Sequence, residues 1–94
     1  METPPVGRSA LIIEAGGERF RFYYDPELPA VLHITWRHGT TPEDAVEAFF
    51  DGPAAWNEAR ARFETVGERH VLYWTRHAHD QSVIVISCFG RWED

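Results

Sequence analysis

The sequence contains no lysine: all nine of its basic side chains are arginines, set against fifteen acidic ones for a formal charge of −6. A surface of that sign offers no general attraction to phosphate, which excludes non-specific nucleic-acid binding through a broad basic face. Cysteine is nearly absent too. The single Cys88 rules out an intramolecular disulfide and any cysteine-rich zinc cage. No apolar run approaches the roughly 18 residues of a membrane span, and residues 1–10 lack the basic stretch and long apolar segment of a secretory signal. A soluble cytoplasmic protein with no membrane association is expected. There is also no phosphate-cradling glycine loop, serine triad or cofactor fingerprint, so no cofactor is expected. What remains is 94 residues, 44% hydrophobic and 14% aromatic. That is enough for one domain with a core, and too apolar for wholesale disorder.

Residues 1–7, with two prolines and a glycine, read as a loose leader, and residues 8–94 as a single domain. Residues 9–15 and 18–24 flank Gly16-Gly17, a dipeptide that tolerates the positive φ angles of a tight hairpin turn. A two-residue turn sets Ile13 opposite Phe20 and Leu11 opposite Phe22 on an apolar face. Ile12 with Arg21, Glu14 with Arg19 and Ala10 with Tyr23 then share a mixed one. Asp25-Pro26 breaks the second strand. Leu28, Val31, Leu32, Thr35 and Trp36 recur at helical spacing, predicting a helix that starts near Pro29 and stops at Gly39. A second helix begins at Thr41 as N-cap, with Pro42 in the first turn and Glu43 and Asp44 at the positive end of the dipole. Val46, Phe49 and Phe50 give it an apolar stripe, and Asp51-Gly52-Pro53 ends it. After a loop carrying Trp56, strands are predicted over residues 60–66, 69–76 and 82–89. The last is apolar from Val83 to Ile86, as expected of a central strand covered on both faces. The expected fold is α+β, in the order β-β-α-α-β-β-β: a small antiparallel sheet with an N-terminal hairpin and two helices packed on one face.

Four stretches carry a family likeness. They are Phe22-Tyr23-Tyr24-Asp25-Pro26; Trp36-Arg37-His38-Gly39-Thr40-Thr41-Pro42-Glu43-Asp44-Ala45; Ala48-Phe49-Phe50-Asp51-Gly52-Pro53; and Arg62-Phe63-Glu64-Thr65-Val66-Gly67 followed by Val83 through Ser87. In order and spacing they resemble the BrnT family of small bacterial toxins, within the RelE/ParE-like superfamily. The resemblance spans roughly residues 22 to 88. It implies a type II toxin that cleaves RNA without a metal and is neutralised by a cognate antitoxin. The departures strike the positions that would hold a phosphate. Glu27-Leu28-Pro29 stand where the family carries a lysine. Cys88-Phe89-Gly90 replace an arginine-rich segment, and an acidic Trp92-Glu93-Asp94 replaces a basic helix. Such losses fit either an attenuated ribonuclease or a degenerate toxin fold that serves only in protein–protein binding, as a homodimer or with an antitoxin. A stand-alone enzyme of another type is the third alternative.

Metal-free RNA cleavage needs a base for the 2′-hydroxyl, a cation for the phosphorane charge and an acid for the leaving oxygen. A two-residue turn at Gly67-Glu68 would set Arg62 across from Tyr73, with Arg60, Glu64, Arg69 and Val71 on the same face and Ala61, Phe63, Leu72 and Trp74 in the core. The candidate catalytic set is therefore Arg62, Arg69 and Tyr73 gripping phosphate, with His38 as acid or base. The plainer alternative is a solvated strand face. His77-Ala78-His79-Asp80 could offer metal ligands, but reads more simply as a polar turn, so no metal site is expected. His33 reads as a helix-boundary residue and Cys88 as a small core residue. Trp36 and Trp74 fall at core positions, leaving Trp56 and Trp92 as the candidates for base stacking.

Overall fold

The computed structural model describes residues 10–92; the predicted leader at 1–7 and the last two residues lie outside them. The first hairpin pairs β1 (Ala10–Ala15) with β2 (Glu18–Tyr23) in the register expected, from Ala10 opposite Tyr23 to Ala15 opposite Glu18. Gly16 and Gly17 make the turn at φ 59° and 82°, a region that residues with a Cβ rarely occupy. Two helices follow, α1 (His33–His38) and α2 (Pro42–Asp51), then β3 (Ala54–Asn57), β4 (Arg62–Val66), β5 (His70–Arg76) and β6 (Val83–Gly90).

Among the described residues the sheet therefore has six strands, ordered β1-β2-β6-β5-β4-β3, where the sequence predicts five. The additional strand is β3, four mostly exposed residues paired to β4, in the segment predicted as a loop. Its Trp56 ring packs against Phe63 at 4.9 Å. The sheet is also mixed rather than antiparallel. The helices carry the chain across one face, β3 to β6 return as a meander, and β6 lies parallel to β2 with Phe22 opposite Val85.

The first helix is shorter than predicted. Pro29 could open a helix, but the backbone groups on either side of it bond within a loop. Residues 25–31 instead close a compact loop, with the Asp25 N–H donating to Val31 O at 2.8 Å and the Val31 N–H to Leu28 O at 2.9 Å. A helix beginning at His33 turns Ile34 into the core and leaves Trp36 51% exposed, so Trp36 is not the core residue its spacing predicts. Gly39, at φ 70°, ends α1 by donating to Thr35 O. The second helix has the predicted cap in full. Thr41 Oγ1 accepts from the Asp44 N–H, and the Asp44 carboxylate accepts from the Thr41 N–H. Its deepest residues are Ala45 and Ala48, whereas Phe50 is 52% exposed. Small residues on the inner face let the helix lie close to the strands.

The core gathers Phe20, Phe22, Ile34, Ala45, Ala48, Leu72, Trp74, Val83, Val85 and Cys88 between sheet and helices. Each large apolar side chain there contributes about 1.5–3 kcal/mol. Val83, Val85 and Cys88 can all face inward because β6 is bulged: Tyr73 pairs with Ser87 but Trp74 with Val85, which leaves Ile86 as the extra residue. Ile84 and Ile86 are only half-buried, and both helices lie on the other face. Thus β6 is central but covered on one side, not both. Between β4 and β5 the observed register is Glu64 opposite Tyr73, two residues from that predicted for a two-residue turn. The turn is longer, closed by the Gly67 N–H donating to His70 O at 2.8 Å. A slip of two preserves the faces, so Phe63 and Trp74 still point to the core. No helix among the described residues is long and apolar enough to cross a membrane.

Candidate functional site

The open face of the sheet carries two of the four predicted site residues, Arg62 and Tyr73, and ring contacts link them to a third, His38 at the end of α1. With the register set, Arg62 lies diagonally from Tyr73 rather than opposite it. Its guanidinium stands 5.8 Å from the Tyr73 ring centroid, and its Nε donates to Arg60 O at 3.4 Å. The Tyr73 ring meets Phe89 edge-on at 5.3 Å, and Phe89 lies 5.6 Å from the His38 imidazole. A row Arg62–Tyr73–Phe89–His38 results, spanning β4, β5, β6 and the end of α1. Two rings separate the arginine from the histidine, so they do not form one compact centre. Arg69 does not join them. The longer turn places it in the exposed β4–β5 loop, at the far end of β4 from Arg62.

A second constellation has no counterpart in the sequence reading. Asp25, only 3% exposed, accepts the Glu27 N–H on Oδ1 at 2.9 Å and faces His33 Nδ1 through Oδ2 at 3.1 Å. Burial opposes ionisation of this carboxyl, but the Glu27 N–H, the His33 hydrogen bond and the charges of His33 and Arg37 outweigh it, and its pKa falls below the ordinary value. An ionised carboxylate only accepts hydrogen bonds, so His33 Nδ1 carries the proton and Nε2 is directed away from Asp25. His33 lines a cavity of about 350 Å³ with Tyr23, Pro26, Ile84, Val85 and Ile86. Arg37 follows one turn later on α1. The two prolines between Asp25 and His33 were the available signal: they fold the intervening residues into a loop that joins its ends.

The larger cleft, about 610 Å³, is lined by Glu14, Glu18, Arg19, Arg76 and Asp80 near the first hairpin turn. Its cations are matched by carboxylates. Arg76 holds both oxygens of Glu18 at 2.7 and 3.3 Å, Arg21 meets Asp80 at 2.6 Å, and Arg19 meets Glu14 at 2.9 Å. Asp80 also accepts the Ser82 hydroxyl and N–H, and these with Arg21 depress its pKa strongly. His77 and His79 sit in the same turn. Asp80 thus serves the polar turn, and no metal-binding group of three His, Cys, Asp or Glu occurs among the described residues. Cys88 is fully buried. Burial pushes its thiol up to about 11, against the opposing hydrogen bond with Thr40, so it is a packing residue and not a nucleophile at neutral pH. Trp92 is 82% exposed and Trp56 49%, and the Trp56 indole donates to Glu58 at 2.9 Å. An acidic partner makes Trp56 a poor platform for a nucleotide.

Compared with protein-family models, curated proteins and solved structures, the chain matches none.

Proposed function

We propose that the domain is a toxin-like, metal-independent endoribonuclease of a type II toxin–antitoxin pair, acting in the cytoplasm and binding RNA along the open face of its sheet. The observation that carries this reading is Arg62 poised over Tyr73 and continuous with Phe89 and His38. A guanidinium can hold two phosphate oxygens while bases stack on neighbouring rings. The net charge of −6 leaves the local charge of Arg62 in place. Carboxylates engage Arg19, Arg21 and Arg76, whereas Arg62 contacts a backbone carbonyl and a ring. The likeness of residues 22 to 88 to BrnT toxins supports the same activity. The test is incubation of purified protein with single-stranded RNA in excess chelator. Expected are products ending in a 2′,3′-cyclic phosphate, and growth arrest when the gene is induced alone. Intact RNA together with harmless induction would reject the reading.

A second reading is favoured by a different observation. The open face also exposes Ile12 at 41% and Val66 at 49% and carries half-buried Ile84 and Ile86, with Arg21 standing between Ile12 and Ile84. Exposed apolar residues set among charged ones suit a protein partner, either a cognate antitoxin or a second copy in a homodimer. A chain that cleaves nothing but elutes as a dimer, or co-purifies with the product of an adjacent gene, would fit that role.

A further inference from the structure

We infer that His33 is the general base of the proposed cleavage and that Asp25 orients it, with Arg37, four residues further along α1, as the cation for the scissile phosphate. The inference rests on the RNA-cleaving reading and moves its chemistry from His38 to the opposite end of α1. Three features of the fold carry it. First, the buried Asp25 carboxylate holds His33 Nδ1 at 3.1 Å, which fixes the ring and leaves Nε2 as the working nitrogen. Second, His33 stands at a cavity of about 350 Å³ walled by Tyr23, Pro26, Ile84 and Ile86. That is near the lower end of small-ligand sites, a size for one nucleotide with its base against the Tyr23 ring. Third, the registers put this cavity in line with the arginine row. Phe22 pairs with Val85, which sets Tyr23 beside Ile86, and Ser87 pairs with Tyr73. Tyr23 on β2 and Arg62 on β4 are thus three strand spacings apart across the sheet and about two residues apart along it, about 16 Å in all. Two nucleotides of extended RNA span such a distance.

The step balances without a metal. Nε2 of His33 takes the 2′-hydroxyl proton, and the 2′-oxygen forms a bond to phosphorus. The bond from phosphorus to the 5′-oxygen then breaks, and that oxygen takes a proton from solvent. Arg37 offsets the negative charge on the non-bridging oxygens. The products are a 2′,3′-cyclic phosphate and a 5′-hydroxyl. Asp25 from the β2–α1 loop holds His33 and also accepts the Glu27 N–H, Tyr23 from β2 shares its cavity, and Arg37 lies four residues on along α1.

The experiment compares the parent protein with His33→Gln and Arg37→Gln on one RNA oligonucleotide, and on the same oligonucleotide carrying 2′-deoxyribose at the cleaved position. His33→Gln is expected to lose about 10²–10⁴-fold in kcat while retaining its affinity for the deoxy-substituted oligonucleotide. The acid limb of its pH–rate profile should also flatten. Added imidazole should restore part of the activity of His33→Ala, which a merely structural role would not allow. Arg37→Gln alters an exposed side chain outside the core, and it should lower kcat and phosphate-dependent binding together. A folded His33→Gln that cleaves at the parental rate would overturn the inference and leave the RNA-cleaving reading standing. A parent protein that cleaves no RNA would overturn both.

Discussion

The Trp74 indole donates a 2.9 Å hydrogen bond to the Thr65 hydroxyl across the β4–β5 pair, with Trp74 4% and Thr65 1% exposed. The same indole stacks on Phe63 at 4.5 Å and meets Phe49 edge-on at 4.9 Å, so one polar contact sits inside an aromatic cluster joining sheet to α2. Thr65→Val keeps the shape and removes the acceptor, leaving a buried N–H unpaired. Denaturant unfolding should show a loss of about 1–3 kcal/mol. In Trp74→Phe, where no donor remains, the same change at Thr65 should cost much less. Equal costs in both backgrounds would mean that the hydrogen bond contributes nothing.

Acid stability should depend on Asp25 and Asp80. Both carboxyls have pKa values below the ordinary range: Asp25 despite its burial, through the Glu27 N–H, His33 and Arg37, and Asp80 through Ser82 and Arg21. A carboxyl with a depressed folded-state value binds protons more weakly folded than unfolded. Its stabilisation is therefore present above the unfolded value of about 3.9 and is lost as pH falls through the folded one. Stability followed by circular dichroism should fall with pH below about 4 in the parent and fall less steeply in Asp25→Asn or Asp80→Asn. Parallel curves would refute the assignment.

The elements with strong local chemistry were legible from sequence, and those decided by tertiary geometry were not. Gly16-Gly17 dictates one turn and therefore one register for six residue pairs, and Thr41-Pro42-Glu43-Asp44 dictates a capped helix. In contrast, β3 is four residues with no alternation to detect, and only β4 gives it a reason to be extended. The apolar run of β6 suggested burial on both sides, but Ile84 and Ile86 alternate onto the face that neither helix covers, and a bulge at Ile86, invisible in composition, then turns Cys88 inward. For the site, the face shared by Arg62 and Tyr73 was legible because an error of two residues in register preserves parity. The place of Arg69 was not, since it depended on turn length. Nor was the Asp25–His33 pair, which exists because residues 25–31 close a hydrogen-bonded loop that joins its ends.

Gly52 is required by a close approach. It follows α2 with φ −145°, an extended conformation open to any residue, so the constraint is steric. A Cβ placed there would run into the Val66 carbonyl oxygen, which is backbone and cannot swing aside. Gly52→Ala should destabilise the fold by about 1–3 kcal/mol, the usual cost of overpacking, read as a lower denaturation midpoint. At Gly17 a Cβ would meet no atom within 4 Å, so Gly17→Ala lacks this clash and would show only the strain of a φ of +82°.

Cys88 should report global unfolding. It is fully buried on β6, its thiol is pushed up to about 11 by burial, and the Thr40 hydroxyl donates to its backbone carbonyl at 2.9 Å. Alkylation by iodoacetamide requires the thiolate and access to it. In native buffer the labelling rate, followed by mass spectrometry, should be far below that of an unfolded control and should rise with denaturant in step with circular dichroism. Rapid labelling of the native protein would contradict the packing of α1 against β6.

The two arginines that the sequence joined in one patch should separate in function. Arg62 stands over Tyr73 on the open face, while Arg69 lies in the β4–β5 loop at the far end of β4. If RNA lies along Arg62, Tyr73 and Phe89, Arg62→Ala removes a bidentate phosphate donor and Tyr73→Ala a stacking surface. Stacking is worth about 1–3 kcal/mol per base, so Tyr73→Ala should weaken RNA binding by roughly five- to 150-fold in a fluorescence anisotropy titration. Arg62→Ala should weaken binding and also reduce its salt dependence, because one fewer counterion is released. Arg69→Ala should produce a much smaller effect on both. Equal losses from the two arginine variants, with an unchanged salt slope, would mean that RNA does not follow the aromatic row.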